Sequence, residues 1–312
     1  MNTAFVFPGQ GSQTVGMGQE FYDNFQVARE TFEIIDDTLN RKLSNIIFNG
    51  SSEELTLTSN AQPALMAVSM AILNVLKQQA NKDISNLCSY VAGHSLGEYS
   101  ALCAAESIDL VATTKLLEIR SKSMQESYPL GQGAMAACIG VPLEKLEEII
   151  KESSNLGVCQ IANDNIVGQV VISGETVLVE YMISIVKDIG YRAIKLNVSA
   201  PFHCSLMKFA EEQMALALHE VVFHAPMVGV IQNITAKPTF NTSEIKQNLI
   251  SQICGRVRWR QTLDELESLK IEQVVEIGGG KVLTNMISKT DHKFNLVNIA
   301  NIAELEKFLK TC

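Results

Sequence analysis

The chain has 312 residues, 46% of them hydrophobic, enough to bury a large core and to form one big α/β domain with a smaller one inserted or appended. A formal charge of −9 excludes a general nucleic-acid binder, which needs a basic surface, so an anionic partner would have to meet a local positive cluster. Cysteines at 88, 103, 138, 159, 204, 254 and 312 show no C-x-x-C pairing, and several lie in apolar runs; reduced, mostly buried thiols of a cytoplasmic protein are expected, with no disulfide framework and no metal site.

No signal-type region precedes the first element, a β-type run at 4–7. That run breaks at Pro8-Gly9-Gln10-Gly11-Ser12-Gln13. A glycine-rich loop after a strand invites a nucleotide reading, yet neither G-x-G-x-x-G nor the P-loop spacing with its lysine is present. The loop reads better as backbone that approaches something closely, with an oxyanion-binding N–H near Gln10. Helical segments follow at 19–40 and 61–77. The apolar stretch 61–76 contains Gln62, Pro63, Ser69 and Asn74, so it reads as a buried helix and not as a membrane span.

A short β-prone run at 89–92 then leads into Gly93-His94-Ser95-Leu96-Gly97, and a helix-compatible run at 96–106 follows. This is the context of a nucleophile elbow, with a serine on a strained strand-to-helix turn. The glycines lack the Cβ atoms that would collide where strand and helix cross. Ser95 Oγ would stand exposed at a helix N-terminus, where unpaired N–H groups and the helix dipole stabilise an oxyanion. The plainer reading is a glycine-rich turn bearing a surface serine. A further helix at 109–128 carries Arg120 among Leu116, Leu117, Ile119 and Met124. A guanidinium is costly to bury alone and its planar fork fits a carboxylate, although Glu118 or Glu126 could pair with it along the helix. Helices alternating with strands imply a parallel-sheet, α/β-hydrolase-like large domain.

From Gly131 the texture changes. A strand at 134–139, a helix at 143–153, strands at 158–162 and 168–174, a helix at 177–189 and a strand at 193–196 follow in order. Strand-helix-strand-strand-helix-strand is the split βαβ, ferredoxin-like unit, and it places an inserted small subdomain at 129–197 between large-domain segments 1–128 and 198–312. The chain then returns through Ser199-Ala200-Pro201-Phe202-His203-Cys204, a helix at 205–219, a strand at 228–233, a helix at 243–254, a segment at 256–269, a strand at 273–277 and the turn Gly278-Gly279-Gly280.

A serine hydroxyl needs a base, usually histidine. His94 abuts the serine and points elsewhere on the turn. His219 and His224 flank a helix end with no turn to aim them inward, and His292 lies in a polar, exposed stretch. His203 follows Pro201 in a turn immediately before a helix, where loops of a catalytic face belong. Position alone leaves a structural role for His203 open.

Four of these motifs in register carry a resemblance that spans about residues 3–300. They are Phe7-Pro8-Gly9-Gln10-Gly11-Ser12-Gln13, Gly93-His94-Ser95-Leu96-Gly97-Glu98-Tyr99-Ser100-Ala101, Arg120 with Met124-Gln125, and Ala200-Pro201-Phe202-His203-Cys204, together with Gln169-Val170-Val171-Ile172-Ser173-Gly174. The chain resembles the malonyl-CoA:acyl carrier protein transacylases of fatty-acid synthesis. The resemblance implies that Ser95 takes the acyl group from coenzyme A, that His203 serves as base and then acid, and that the N–H groups of Gln10 and Leu96 form the oxyanion hole. It further implies that the backbone carbonyl of Gln252 orients the histidine in place of an aspartate, that Arg120 pairs with the free carboxylate of malonate, and that Phe202 fills the space an α-methyl branch needs. One departure is Gly278-Gly279-Gly280-Lys281, where the family commonly has Gly-Pro-Gly-Lys.

The implied partners are malonyl-CoA, as substrate and not as bound cofactor, and an acidic acyl carrier protein. A monomer with no nucleic-acid or membrane partner is expected. Docking would draw on two or three of Lys187, Arg192, Lys195, Arg256, Arg258, Arg260 and Lys281. A stand-alone acyltransferase of a polyketide synthase shares these motifs, and a serine esterase or thioesterase could be built on the same elbow.

Overall fold

The computed structural model describes residues 1–311, so Cys312 falls outside the described residues; the other six cysteines are free thiols. Among the described residues ten strands form two sheets: β1 (Thr3–Phe7), β2 (Tyr90–Gly93), β3 (Gly133–Ile139), β4 (Cys159–Ile166), β5 (Gln169–Glu175), β6 (Arg192–Lys195), β7 (Gly229–Ile231), β8 (Pro238–Thr239), β9 (Gln273–Ile277) and β10 (Asn295–Ile299). The larger sheet runs β10-β9-β1-β2-β7-β8, parallel except at the β7–β8 edge. β1 is buried along its whole length, as a central parallel strand covered on both faces must be. Phe5 and Phe7 face a core built with the helices Gln26–Leu39 and Thr58–Ala80, whereas Ala4 and Val6 face Trp259 and Leu263.

The smaller sheet is antiparallel in the order β4-β5-β3-β6 and is backed by the helices Leu143–Glu152 and Thr176–Asp188, with its own apolar core. That strand order is the ferredoxin-like one, so the α/β class with a parallel main sheet and a ferredoxin-like layer matches the sequence pattern.

Several elements differ from the sequence expectation for identifiable reasons. The segment at 19–40 is two helices, Gln19–Asn24 and Gln26–Leu39, because Phe25 is extended at φ −128°. Arg29 then donates to the carbonyls of Tyr22 and Asp23, which the end of the first helix leaves without partners. The helix Thr58–Ala80 starts before 61 and runs through Pro63. Proline cannot donate to the Ser59 carbonyl, and Arg41 Nη2 does so instead at 2.8 Å. This helix is long and apolar enough to cross a membrane, yet 89% of its most apolar window is buried within the protein.

β4 continues to Ile166, beyond the expected 162, through the polar run Asn163-Asp164-Asn165. Those side chains lack apolar alternation because they face the larger body. Asp164 N–H donates to the Val257 carbonyl and Val257 N–H to that of Ala162. The Asp164 carboxylate takes a bidentate guanidinium from Arg260, and Asn165 meets His94. His292, expected on the surface, has a side chain only 12% exposed, stacked on Phe294 and 3.2 Å from Asp264.

Asp164 therefore fastens the small sheet to the large one through a charge pair in which the acid is buried and Arg260 is 28% exposed. Replacing one partner of a fully buried pair costs about 3–5 kcal/mol. Because the guanidinium retains access to water, Asp164→Ala is expected to lower the unfolding free energy by about 2 kcal/mol, read from urea denaturation.

Candidate active site

The strand-to-helix turn at Ser95 is tight for steric reasons that the two glycines satisfy. A Cβ on Gly93 would lie 1.8 Å from the Gly97 carbonyl oxygen, and one on Gly97 would lie 2.3 Å from that of Phe7. Ser95 itself has φ +55°, the left-handed strain of a nucleophile elbow between β2 and the helix Gly97–Ala104. Asn233, at the end of the β7 strand, clamps the turn from both sides. Its Oδ1 accepts from Ser95 N–H at 2.7 Å and its Nδ2 donates to the Gly93 carbonyl at 2.6 Å.

His203 arrives on the loop that returns from the small sheet, also with positive φ (+59°), and its Nε2 lies 2.7 Å from Ser95 Oγ. Its Nδ1 is 2.9 Å from the backbone carbonyl oxygen of Gln252, the last residue of the helix Thr242–Gln252. A helix C-terminus leaves carbonyls free to accept. With Nδ1–H donating there, Nε2 carries the lone pair that can take the serine proton. Burial pushes the imidazole down to about 3, and the charge of Arg120 adds to the effect, so the ring is neutral over the physiological range.

Arg120, from the helix Leu110–Glu126, is 1% exposed. Neither Glu118 nor Glu126 pairs with it: Glu118 holds Lys122 instead, and Arg120 makes no ion pair among the described residues. Its Nη1 donates to Gln62 Oε1 at 2.6 Å, and its Nη2 donates to Gln252 Oε1 at 2.9 Å and to Ser95 Oγ at 3.1 Å. The guanidinium lies 5.6 Å from the centre of the Tyr99 ring, and its Nε–H has no partner. A buried cation with an unused donor beside a nucleophilic hydroxyl is suited to a carboxylate at the far end of an acyl group.

One cavity of about 310 Å³ gathers these groups, lined by Gln10, Ser95, Leu96, Arg120, Phe202 and His203 together with Gln62, His94, Met124, Met135 and Asn163. The backbone N–H groups of Gln10 and Leu96 donate to no protein acceptor among the described residues. The structure thus brings Gln10, Ser95, Leu96, Arg120, Phe202 and His203 to one place, with Gln252 just behind them, while none of the basic docking candidates lines this cavity. Among the described residues no cluster suited to a metal ion is present.

Four participants were not singled out by sequence. Gln62, Glu98, Asn165 and Asn233 all form hydrogen bonds within or against the site. Gln62 and Glu98 left a signal, a polar residue within a run otherwise destined for burial. Asn233 left none, since its role depends on the spacing of β2 and β7.

The neutral state of His203 has a kinetic consequence. With malonyl-pantetheine, the substrate type that the sequence resemblance implies and one that lacks phosphates titrating near pH 6, kcat/KM is expected not to fall between pH 8 and 5, where an ordinary histidine base would lose its lone pair. In Arg120→Ala the acid limb should move up toward 6.5, because one cause of the depression is gone.

A model of the acyl transferase domain family matches residues 4–307. The malonyl CoA-acyl carrier protein transacylase of Bacillus subtilis is 39% identical, with 99% of this chain and 96% of that protein aligned. The crystal structure of the acyl-carrier-protein-S-malonyltransferase from Bartonella henselae superposes with a TM-score of 0.97 at 45% identity, covering 100% of this chain and 99% of that one. A malonyl-transacylase solved in complex with its holo type II PKS acyl-carrier protein superposes at 0.96 with 37% identity, covering 100% of both chains. The chain therefore belongs to the acyl transferase domain family and, within it, to the malonyl CoA-acyl carrier protein transacylases.

Proposed function

We propose that this enzyme moves a malonyl group from coenzyme A to the phosphopantetheine thiol of an acyl carrier protein by way of a Ser95 ester. The observation that carries the reading is the buried Arg120 guanidinium, whose Nη2 stands 3.1 Å from the hydroxyl of Ser95. As Oγ attacks the thioester carbonyl, its proton passes to His203 Nε2 and the new C–O bond places negative charge on the carbonyl oxygen. The N–H groups of Gln10 and Leu96 receive that charge. Collapse breaks the C–S bond, and the coenzyme A thiolate leaves with the proton held by His203. The carrier thiol then repeats the steps in reverse, giving its proton to His203 as its sulfur attacks the ester.

Gln252 holds the imidazole through a neutral carbonyl, so no buried carboxylate offsets the imidazolium that forms. Phe202 is buried and lines the cavity together with Met124 and Met135, where its ring occupies space that an α-methyl branch would need, which favours malonyl over methylmalonyl. No resident cofactor or metal takes part in these steps. We place the enzyme in the cytoplasm as a monomer, its small subdomain spanning 129–197; all four strands of the smaller sheet lie within 133–195 in support.

For the acidic carrier, the candidate basic residues separate by their partners. Lys195, Arg256, Arg260 and Lys281 each pair with a carboxylate, which leaves Lys187, Arg192 and Arg258 without one among the described residues. Those three are the better docking candidates, because their charge is not already compensated. Supply of fatty-acid synthesis is the favoured setting. A polyketide setting is the second reading, supported by the similarity to the transacylase solved with a PKS carrier. A thioesterase on the same elbow would lose its acyl ester to water before any thiol arrived.

Arg120→Ala is expected to lower kcat/KM for malonyl-CoA by about two to three orders of magnitude, as loss of one partner from a buried charge pair does, and to change acetyl-CoA by less than about tenfold. Measurement of both substrates on the same preparation checks this, and an unchanged malonyl-to-acetyl ratio would remove the carboxylate role of Arg120.

A further inference from the structure

The buried guanidinium of Arg120 raises a question that its hydrogen bonds to neutral groups do not answer. A cation with 1% exposure and no ion pair needs a compensating charge somewhere in the same low-dielectric region. One carboxylate is placed to supply it. Glu98 lies one turn after Ser95, fully buried, and its Oε2 accepts from Gln252 Nε2 at 2.7 Å and from Asn233 N–H at 3.0 Å. The same Gln252 amide presents its Oε1 to Arg120 at 2.9 Å, so a single side-chain amide bridges carboxylate and guanidinium. Its orientation has no workable alternative, since a flip would set oxygen against carboxylate and NH2 against guanidinium. The second carboxylate oxygen, Oε1, has no partner.

We propose that Glu98 is a positioning residue that acts through Gln252 as the resident counter-charge of Arg120, and that it thereby sets how strongly the site prefers an acyl group ending in a carboxylate. This rests on the malonyl-transfer reading. In the free enzyme the guanidinium is partly compensated. An incoming malonyl carboxylate shares that cation with Glu98 and meets the like charge of Glu98 across the amide, whereas an acetyl group does neither. Glu98 therefore moderates malonyl binding, which keeps the malonyl ester from being held too firmly to leave for the carrier thiol.

A brace and a counter-charge predict opposite results for Glu98→Gln. The amide oxygen at 98 can still accept from Asn233 and Gln252, so the hydrogen-bonded frame survives while the charge is lost. At pH 8, above the value of about 7 to which burial pushes this carboxyl, E98Q is expected to raise the malonyl-to-acetyl ratio of kcat/KM on the order of tenfold, the influence of a unit charge a side-chain length away in a protein interior. The change should reside in a lower KM for malonyl-CoA, with slower transfer from the malonyl ester to carrier protein. In the Arg120→Ala background the same substitution should leave the ratio unmoved. A role as brace alone would instead weaken both substrates together.

Should E98Q not fold, titration of the native carboxyl in place gives the same test. The wild-type ratio, measured with malonyl- and acetyl-pantetheine, should rise as pH falls from 8 to 6. The groups around Glu98 do not change charge in that window: Arg120 on the helix Leu110–Glu126 is lowered by burial yet stays protonated, Tyr99 is pushed up by burial, and His94 on the elbow turn and His203 are pushed down by burial, His203 to about 3. The helix Thr58–Ala80 contributes only Lys77, paired with Glu106, β1 contributes none and β2 only Tyr90 at its far end. A ratio that is flat with pH and unmoved in E98Q, in an enzyme that prefers malonyl, overturns the counter-charge role alone. A wild-type enzyme with no preference for malonyl overturns the proposed function itself.

Discussion

Burial of the Arg120 guanidinium is the constraint around which the site is built. Taking a cation out of water is among the most costly acts in a fold, and a chain tolerates it only where donors are satisfied and charge is balanced nearby. Here three separate elements supply acceptors: Gln62 from the long buried helix, Gln252 from a helix terminus and Ser95 from the elbow. Each must reach the same few ångströms, which couples the packing of the large body to the position of the nucleophile. The Asn233 clamp and the Glu98 carboxylate extend that coupling to the loop that follows β7.

The same frame shows how the proposed serine and histidine pair would operate without an aspartate. A carboxylate behind the imidazole would raise its proton affinity and compensate the cation that forms during attack. In this site the imidazole instead faces a backbone carbonyl, whose hydrogen bond only partly offsets two influences that keep the ring neutral until a proton is delivered: burial first, and the nearby guanidinium second. A malonyl carboxylate on Arg120 would weaken the second influence. The base would thus become stronger when the right acyl group is seated, a substrate-dependent tuning that an acetyl group does not provide.

Much of this was legible in the residues, and what was not has physical causes. The elbow could be read because its glycines are demanded by contacts under 2.5 Å, so few other residues serve there. The ferredoxin-like layer could be read because its strands and helices alternate at the expected periods. The extent of β4 could not, because 163–165 are polar residues whose partners come from Val257, Arg260 and His94, distant in sequence. The break at Phe25 was hidden for a similar reason: Arg29 reaches back to cap a helix that periodicity alone would continue. At the site, residue type and context pointed to Ser95, whereas His203 and Arg120 were set apart from structural roles only by the motifs they share with the transacylase family, and the role of Gln252 belongs partly to its main chain and leaves no mark on side-chain type. Glu98 was visible inside the elbow motif, but its connection to Arg120 exists only once Gln252 is in place between them.

The central claim is that a malonyl group resides on Ser95 between two thiols. The direct measurement is to mix the enzyme with malonyl-CoA, quench within seconds, digest, and locate any adduct by mass spectrometry, with and without a chase of holo acyl carrier protein. A malonyl ester on the peptide bearing Ser95 that persists in water and vanishes on addition of the carrier is the expected result. An adduct on another residue, or a Ser95 ester that the carrier thiol does not discharge, would contradict the account.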